Sequence, residues 1–295
     1  MIPTSVKQIP SRDGRAEIGI RAMTSGDLPD AALLSKALGW PHRLEDWDFM
    51  LRQGHGLVAT LENGAVIGTI LWWPFGTRYA TVGLVIVANA WQGHGIGRTL
   101  LATVRRLLPG YSLYLNATPA GQPLYEKLGF IPTGIVEQHQ GNGVSAPIVP
   151  LEPGHRLRPV VQQDLQELAA LDGAATGMDR ARLIEDLVAT AKGVVIDTGD
   201  GIVGYSFCRK FGWGWLIGPV AAATPIGARA LIAHWIGTHG GEFLRVDIPA
   251  ACGLSSWLDD MGLIRVDTVN TMSTDAMTPA PDGPCYYALT SQAIG

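Results

Sequence analysis

Gln92-Gly93-His94-Gly95-Ile96-Gly97-Arg98-Thr99 is the stretch whose residue types and spacing carry the most chemistry. Gly93, Gly95 and Gly97 let the backbone approach an anion closely. A helix follows at once: Ile96, Leu100, Leu101 and Val104 recur at helical spacing, with Arg98, Arg105 and Arg106 mostly on the other face. The first N–H groups of such a helix lack intrahelical acceptors and lie at the end of a dipole that favours negative charge. Upstream, Val82, Leu84, Val85, Ile86 and Val87 read as a buried strand, closed by the turn Ala88-Asn89-Ala90-Trp91. Strand, glycine loop and helix together make a phosphate cradle. Its spacing excludes two common kinds. The glycines run G-x-G-x-G with no acid about 20 positions on, unlike a dinucleotide fingerprint, and Gly97-Arg98-Thr99 lacks the lysine of a nucleotide P-loop.

The loop does resemble the Q/R-x-x-G-x-G/A loop of the GNAT superfamily of acyl-CoA N-acyltransferases, which grips the coenzyme A pyrophosphate. Leu113 to Phe130, LYLNATPAGQPLYEKLGF, is similar to that superfamily's second signature, a strand end followed by a short helix with a tyrosine and then Gly-Phe. The resemblance implies acetyl-CoA as cofactor, with Gln92, Gly93, His94, Gly95, Ile96, Gly97, Arg98 and Thr99 at its pyrophosphate. It implies that backbone groups of Val85 and Val87 hold the pantetheine arm and thioester, with Asn116 contacting the arm. Tyr125 falls on the family's tyrosine, which protonates the leaving thiolate; the alternative is a half-buried tyrosine whose hydroxyl bonds to backbone. Gly39-Trp40-Pro41-His42-Arg43-Leu44-Glu45-Asp46-Trp47 and the Asn116 to Tyr125 stretch extend the likeness to tandem bacterial GNAT proteins. There an active N-terminal domain precedes a divergent GNAT-like one. The fold implied is α+β: two tandem GNAT-like domains, each a mixed, mostly antiparallel sheet flanked by helices.

The elements that must position these residues read as follows. Ile18 to Ala22 is a first strand after a loose leader, and Ser25-Gly26-Asp27 caps a helix through Leu38. A second helix runs through Leu44, Trp47, Met50 and Leu51. Two strands, 56–60 and 65–73, join at Asn63-Gly64, a strong hairpin signal. After the cradle come a strand over 113–117, a short helix over 123–128 and an extended stretch over 130–139. Residues 18–140 are the expected catalytic domain, 141–156, with three prolines, a linker, and 157–290 a divergent second copy. The second copy is legible as a faint repeat. Arg21…Asp27-Leu28 returns as Arg158…Asp164-Leu165 at an offset of 137, Gly68 as Gly204 at 136, Gly83 as Gly218 at 135, and Leu128-Gly129-Phe130 as Met261-Gly262-Leu263 at 133. Where the first copy has its glycine loop, the second has Ala223-Thr224-Pro225-Ile226-Gly227-Ala228, which leaves no cradle and predicts one coenzyme per chain.

Composition narrows the partners. Hydrophobic residues make up 47% and charged residues 16%, so 295 residues can bury a large core. A net charge of −4 offers no field for nucleic acid. Three scattered cysteines and the lack of a signal-type or membrane-spanning segment predict a cytoplasmic protein with no membrane and no metal; a homodimer stays open. Asp179-Arg180 reads as a helix cap and a surface charge, and His94 as solvent-facing.

The expected reaction is acetyl transfer to a primary amine of a small polar molecule, an aminosugar or aminoglycoside-type antibiotic (hence possible resistance) or an amino-acid-like metabolite. Trp40, His42, Asp46, Trp72 and Trp73 are the candidate substrate contacts, the aromatics by stacking or cation–π attraction. Ala80, Thr81 and Gly83 leave the central strand without an acid. The base is therefore expected to be water or an acid from Asp46, Asp48 or the second domain. A protein or peptide acceptor, and an acetyl-CoA sensor without turnover, are the rival readings.

Overall fold

The computed structural model describes residues 7–10, 17–143, 148–275 and 283–295; the rest of the expected leader and part of the expected linker lie outside the described residues. The first half runs β1 (Lys7–Pro10), β2 (Glu17–Ala22), α1 (Leu28–Ala37), α2 (Leu44–Gln53), β3 (His55–Thr60), β4 (Val66–Phe75), β5 (Tyr79–Val87), α3 (Ile96–Leu107), β6 (Ser112–Ala117), α4 (Gln122–Glu126) and β7 (Ile131–Asn142). The second half repeats that order: β8 (Arg156–Pro159), α5 (Leu165–Thr176), α6 (Ala181–Thr190), β9 (Lys192–Asp197), β10 (Ile202–Phe211), β11 (Gly214–Ala222), α7 (Pro225–Thr238), β12 (Phe243–Pro249), α8 (Ser255–Asp260), β13 (Ile264–Ser273) and an extra strand, β14 (Cys285–Ala288). This is an α+β fold. No described helix is long and apolar enough to cross a membrane.

The repeat is built from matching local chemistry. Arg21 Nη1 and Nη2 grip Asp27 at 2.7 and 2.6 Å, and the same carboxylate accepts the Thr24 N–H. Arg158 grips Asp164 at 2.7 and 3.0 Å, and that carboxylate accepts the Val161 N–H. Each fork ties the end of a strand to the turn that opens a helix, and each charge-assisted pair is geometrically demanding. Both carboxyls lie below the usual carboxylate range, because these hydrogen bonds outweigh a burial that pushes them up.

The halves share one sheet, ordered β1-β2-β3-β4-β5-β6-β13-β7-β12-β11-β10-β9-β8, with β14 against β11. The last strands are exchanged. β13 pairs antiparallel with β6, and β7 pairs with β12 from Asn142 opposite Phe243 to Val136 opposite Pro249. β7 therefore runs through Asn142, two residues into the stretch read as linker. The exchange leaves no strand edge at the junction. A core cluster also spans both halves, joining Trp47, Met50 and Trp73 to Leu183, Leu187, Tyr205 and Phe207. At 2% exposure Arg180 is not a surface charge: it forms a buried ion pair with Asp172 and reaches the Tyr286 hydroxyl and Gly295 O.

Candidate functional site

The site begins with an irregularity in β5. Its pairing with β4 slips between Thr69 opposite Ile86 and Leu71 opposite Gly83. Leu84, inside the slip, is the non-glycine residue with positive φ among those described, at 51°. A bulky Leu held there is strained unless its surroundings impose it. Thr69 supplies the constraint: its buried hydroxyl donates to Leu84 O at 2.8 Å. β5 lies parallel to β6 only from Tyr79 to Thr81, opposite Ser112 to Tyr114, and beyond that the two strands part. Ala88 N donates to Ile67 O, so ladder alternation turns the Val85 and Val87 amides away from β4 and into the gap. Thr69→Val is expected to lower stability by about 1–2 kcal/mol, since a buried carbonyl loses its partner. Turnover should fall about tenfold beyond that loss as the Val85 and Val87 amides drift, about 1.4 kcal/mol of barrier; urea denaturation and steady-state rates measure the two effects.

The gap opens toward the glycine loop. Gly93 and Gly95 both have φ of 80°, a left-handed conformation that favours glycine, and their outer faces are open. The first amide to find a backbone carbonyl is Thr99 N, on Gly95 O at 3.0 Å, so the N–H groups from Gly93 to Arg98 have no backbone acceptor among the described residues. Gln92 Nε2 donates to Val87 O and Asn89 Oδ1, tying loop to strand. Ile96 is buried in the core and contributes its amide. Gly97 allows α3 to sit close to Leu124, 3.3 Å from where a Cβ would lie. Arg98 is exposed beside the loop. His94 is half-buried against Trp91 rather than open to solvent, and Thr99 caps Gly95 O with its hydroxyl. Six amides without a backbone acceptor among the described residues, in a loop that carries no acid of its own, suit a pyrophosphate.

Tyr125, on α4, is buried against Phe130, and burial pushes its phenol up to about 12. Its hydroxyl has no hydrogen-bond partner among the described residues, so the backbone-bonded reading finds no acceptor. Asn116 sits on β6, but its side chain is engaged: Nδ2 donates to Gln292 O and Oδ1 accepts from Thr271.

Between the halves lies a cavity of about 340 Å³. From the first half it is lined by Trp40, His42, Gly83, Leu84 and Asn116, and from the second by Phe211, Trp213, Arg245 and Asp267. The segment Ser291–Ala293 forms another wall. That segment crosses β5 closely enough that a Cβ on Gly83 would meet Ala293 at 2.8–2.9 Å, and Thr81 Oγ1 donates to Ile294 O. Trp40 and His42 thus line this cavity. Trp72 and Trp73 do not: both are buried in the core, Trp73 donating to Met50 O, because both faces of β4 are covered. Asp46 is also committed, its carboxylate accepting from Arg43 and from the Gly212 N–H, and Asp48 pairs with Arg52. The carboxylate lining the cavity is Asp267, from the second half. The aromatic and charged walls from β10, β12 and the 291–293 segment carry no local motif that would reveal them in sequence.

Three comparisons bear on this arrangement. The description "Acetyltransferase (GNAT) domain" matches the chain twice, over residues 52–132 and residues 168–287. The chain belongs to the GNAT acetyltransferase family, one domain in each half. This tandem GNAT protein is an acyltransferase. It is 29% identical over 262 residues to the uncharacterized N-acetyltransferase YitH of Bacillus subtilis (strain 168), covering 87% of this chain and 91% of that one. An acetyltransferase candidate from Pyrococcus horikoshii shares its fold with a TM-score of 0.78 at 20% identity, covering 94% of this chain and 96% of that chain. A tandem GNAT protein from the clavulanic acid biosynthesis pathway superposes with a TM-score of 0.63 at 14% identity, covering 89% and 100%.

The second GNAT domain has a corresponding splay, but the chain fills it. β11 and β12 pair only from Trp215 to Ile217, opposite Leu244 to Val246. Beyond that, β14 pairs with Val220 to Ala222 on one side, and Leu289 N donates to Asp247 O on the other. At the start of α7, Thr224 caps the helix by accepting the Gly227 N–H. The second domain therefore has neither an open gap nor a glycine cradle.

Proposed function

We propose that this acyltransferase moves an acetyl group from one acetyl-CoA, held by the first GNAT domain, to the amine of a small polar molecule in the interdomain cavity. The observation that carries the proposal is the cavity's position: it opens on Leu84 at the β5 irregularity, beside the unpaired amides of the splay, and is walled by both halves. Residues 92–99 would hold the pyrophosphate, with the Val85 and Val87 backbone holding the arm. When bound, acetyl-CoA supplies the activated acyl group. The Val87 N–H, turned away from β4, would be the donor for the thioester carbonyl, where a fixed donor stabilises developing negative charge by a few kcal/mol. Tyr125, its phenol raised to about 12 by burial, keeps its proton across the working range and would be the residue to supply it to the leaving thiolate. A lysine-like amine must first lose a proton, at a cost of about 4–5 kcal/mol at pH 7. Asp267, directly or through water, is the group lining the cavity that can take it. Enclosure by the second domain and the 291–293 segment favours a small acceptor over an extended peptide.

Release of free thiol from acetyl-CoA across a panel of polyamines, amino acids and aminosugars tests the proposal. Release with one class establishes the donor and names the acceptor class. Silence across the panel with acetyl-CoA still bound would contradict small-molecule transfer and favour the sensor reading.

A further inference from the structure

The inner wall of the interdomain cavity is organised around Phe211. The His42 ring stands edge-on to it at 5.4 Å, and the guanidinium carbons of Arg209 and Arg245 lie 5.1 and 5.4 Å from its centroid. Two cations on one enclosed ring need counter-charge, and the carboxylates nearby are already shared. Asp247, fully buried, takes Nε and Nη2 of Arg245 and leaves Nη1 without a partner among the described residues. Asp46 is forked by Arg43, and Arg209 Nη1 reaches it only at 3.9 Å. Arg209 otherwise donates Nη2 to Thr290 O, while its Nε, Thr290 Oγ1 and His42 Nδ1 are enclosed without partners. Three guanidinium groups thus face two carboxylates. An enclosed, undercompensated cation with spare donors is costly unless a ligand completes it.

The surroundings respond to that excess. Burial pushes the His42 ring down to about 4, with Arg245 adding to the effect and Asp46 opposing it. Arg209 is pushed down to about 10 by burial, with Arg43 and Arg245 adding and Asp46 opposing. His42 is therefore a neutral donor or acceptor; Arg209 keeps its charge at neutral pH but does not line the cavity, so the charge available to a ligand belongs to Arg245. The opposite charge in the cavity, Asp267, is exposed and screened by solvent.

We propose that the Arg245 corner, with His42 and Phe211, binds a carboxylate of the acceptor, so that the acceptor is an amine carrying a carboxylate rather than a polycationic aminosugar. The proposal rests on the cavity being the acceptor site. With its Nε–Nη2 edge on Asp247, Arg245 still has Nη1 and the second hydrogen of Nη2 as a pair of donors in one plane, which suits a planar carboxylate. With the anion anchored at Arg245 on β12, the other end of the molecule extends toward Leu84, where its amine would react.

The test is calorimetric binding of amino acids of two to six carbons, each against its own carboxamide, with glucosamine alongside. Carboxylates are expected to bind at least tenfold more tightly than their amides. In Arg245→Lys, which keeps a cation beside Asp247 but loses the fork, that ratio should fall to near one. Equal or tighter binding of the amides or of glucosamine, or no binding by any of these probes, would overturn the subsite. Acetyl-CoA thiol release on the same samples separates the two proposals: a carboxylate preference without release sustains a carboxylate-binding corner and contradicts the cavity as the acceptor site.

Discussion

Gly95→Val is expected to weaken acetyl-CoA binding at least a hundredfold, about 2.7 kcal/mol, in a chain that still folds. Gly95 holds φ at 80° immediately before α3, and nothing lies within 4 Å of where its Cβ would stand. The substitution therefore makes no clash in the protein core. Its cost is conformational, since a β-branched residue resists the left-handed region by about 1–2 kcal/mol. The loop relieves that strain by turning, and turning withdraws the row of amides from Gly93 to Arg98. The added side chain would also stand on the open face where the pyrophosphate must approach. Calorimetric titration reads the loss, with the thermal midpoint as a control for folding. Affinity within threefold of the parent chain would remove the loop from the coenzyme site.

Tyr125→Phe is expected to lower kcat about a hundredfold and to change acetyl-CoA affinity less than threefold. The ring is buried against Phe130 and remains in the variant, so packing is kept. Only the hydroxyl disappears, and positioned proton donors contribute about 10²–10⁴ in rate. The pH profile adds a second check. Burial raises the phenol to about 12, so the acid form persists as pH rises and is lost only near that value. The parent enzyme should show no loss of kcat attributable to this group below pH 10. An unchanged kcat in the variant would assign the tyrosine to packing alone.

What the sequence makes legible here is what is local. The cradle is a contiguous loop, and Asn63-Gly64 places the β3–β4 turn, with φ of 85° at Gly64. The Arg21–Asp27 fork and its echo at Arg158–Asp164 are six-residue spacings, so a faint repeat could be traced from them. Asp46 shows the limit of local reading. Three residues after Arg43 it resembles an available acid, but it caps α2 through the Arg43 N–H and also accepts from Gly212, 166 residues away. Trp72 and Trp73 look like a presented aromatic pair, yet β4 is covered on both faces, and no alternation marks one side as open. The exchange of β7 and β13 is invisible in sequence because both strands carry the same kind of pattern and either would satisfy β6. The particular residues of the second half that line the interdomain cavity are not legible because they are non-local: its walls join residues as far apart as Trp40 and Gln292.

Amide hydrogen exchange with and without acetyl-CoA tests the central claim, one coenzyme in the first domain, most directly. The expected result is slowed exchange at Val85, Val87 and residues 93–98, with no change over residues 214–228, where β14 and the Thr224 cap already occupy the equivalent positions. Protection over residues 214–228, or none over residues 85–98, would contradict it.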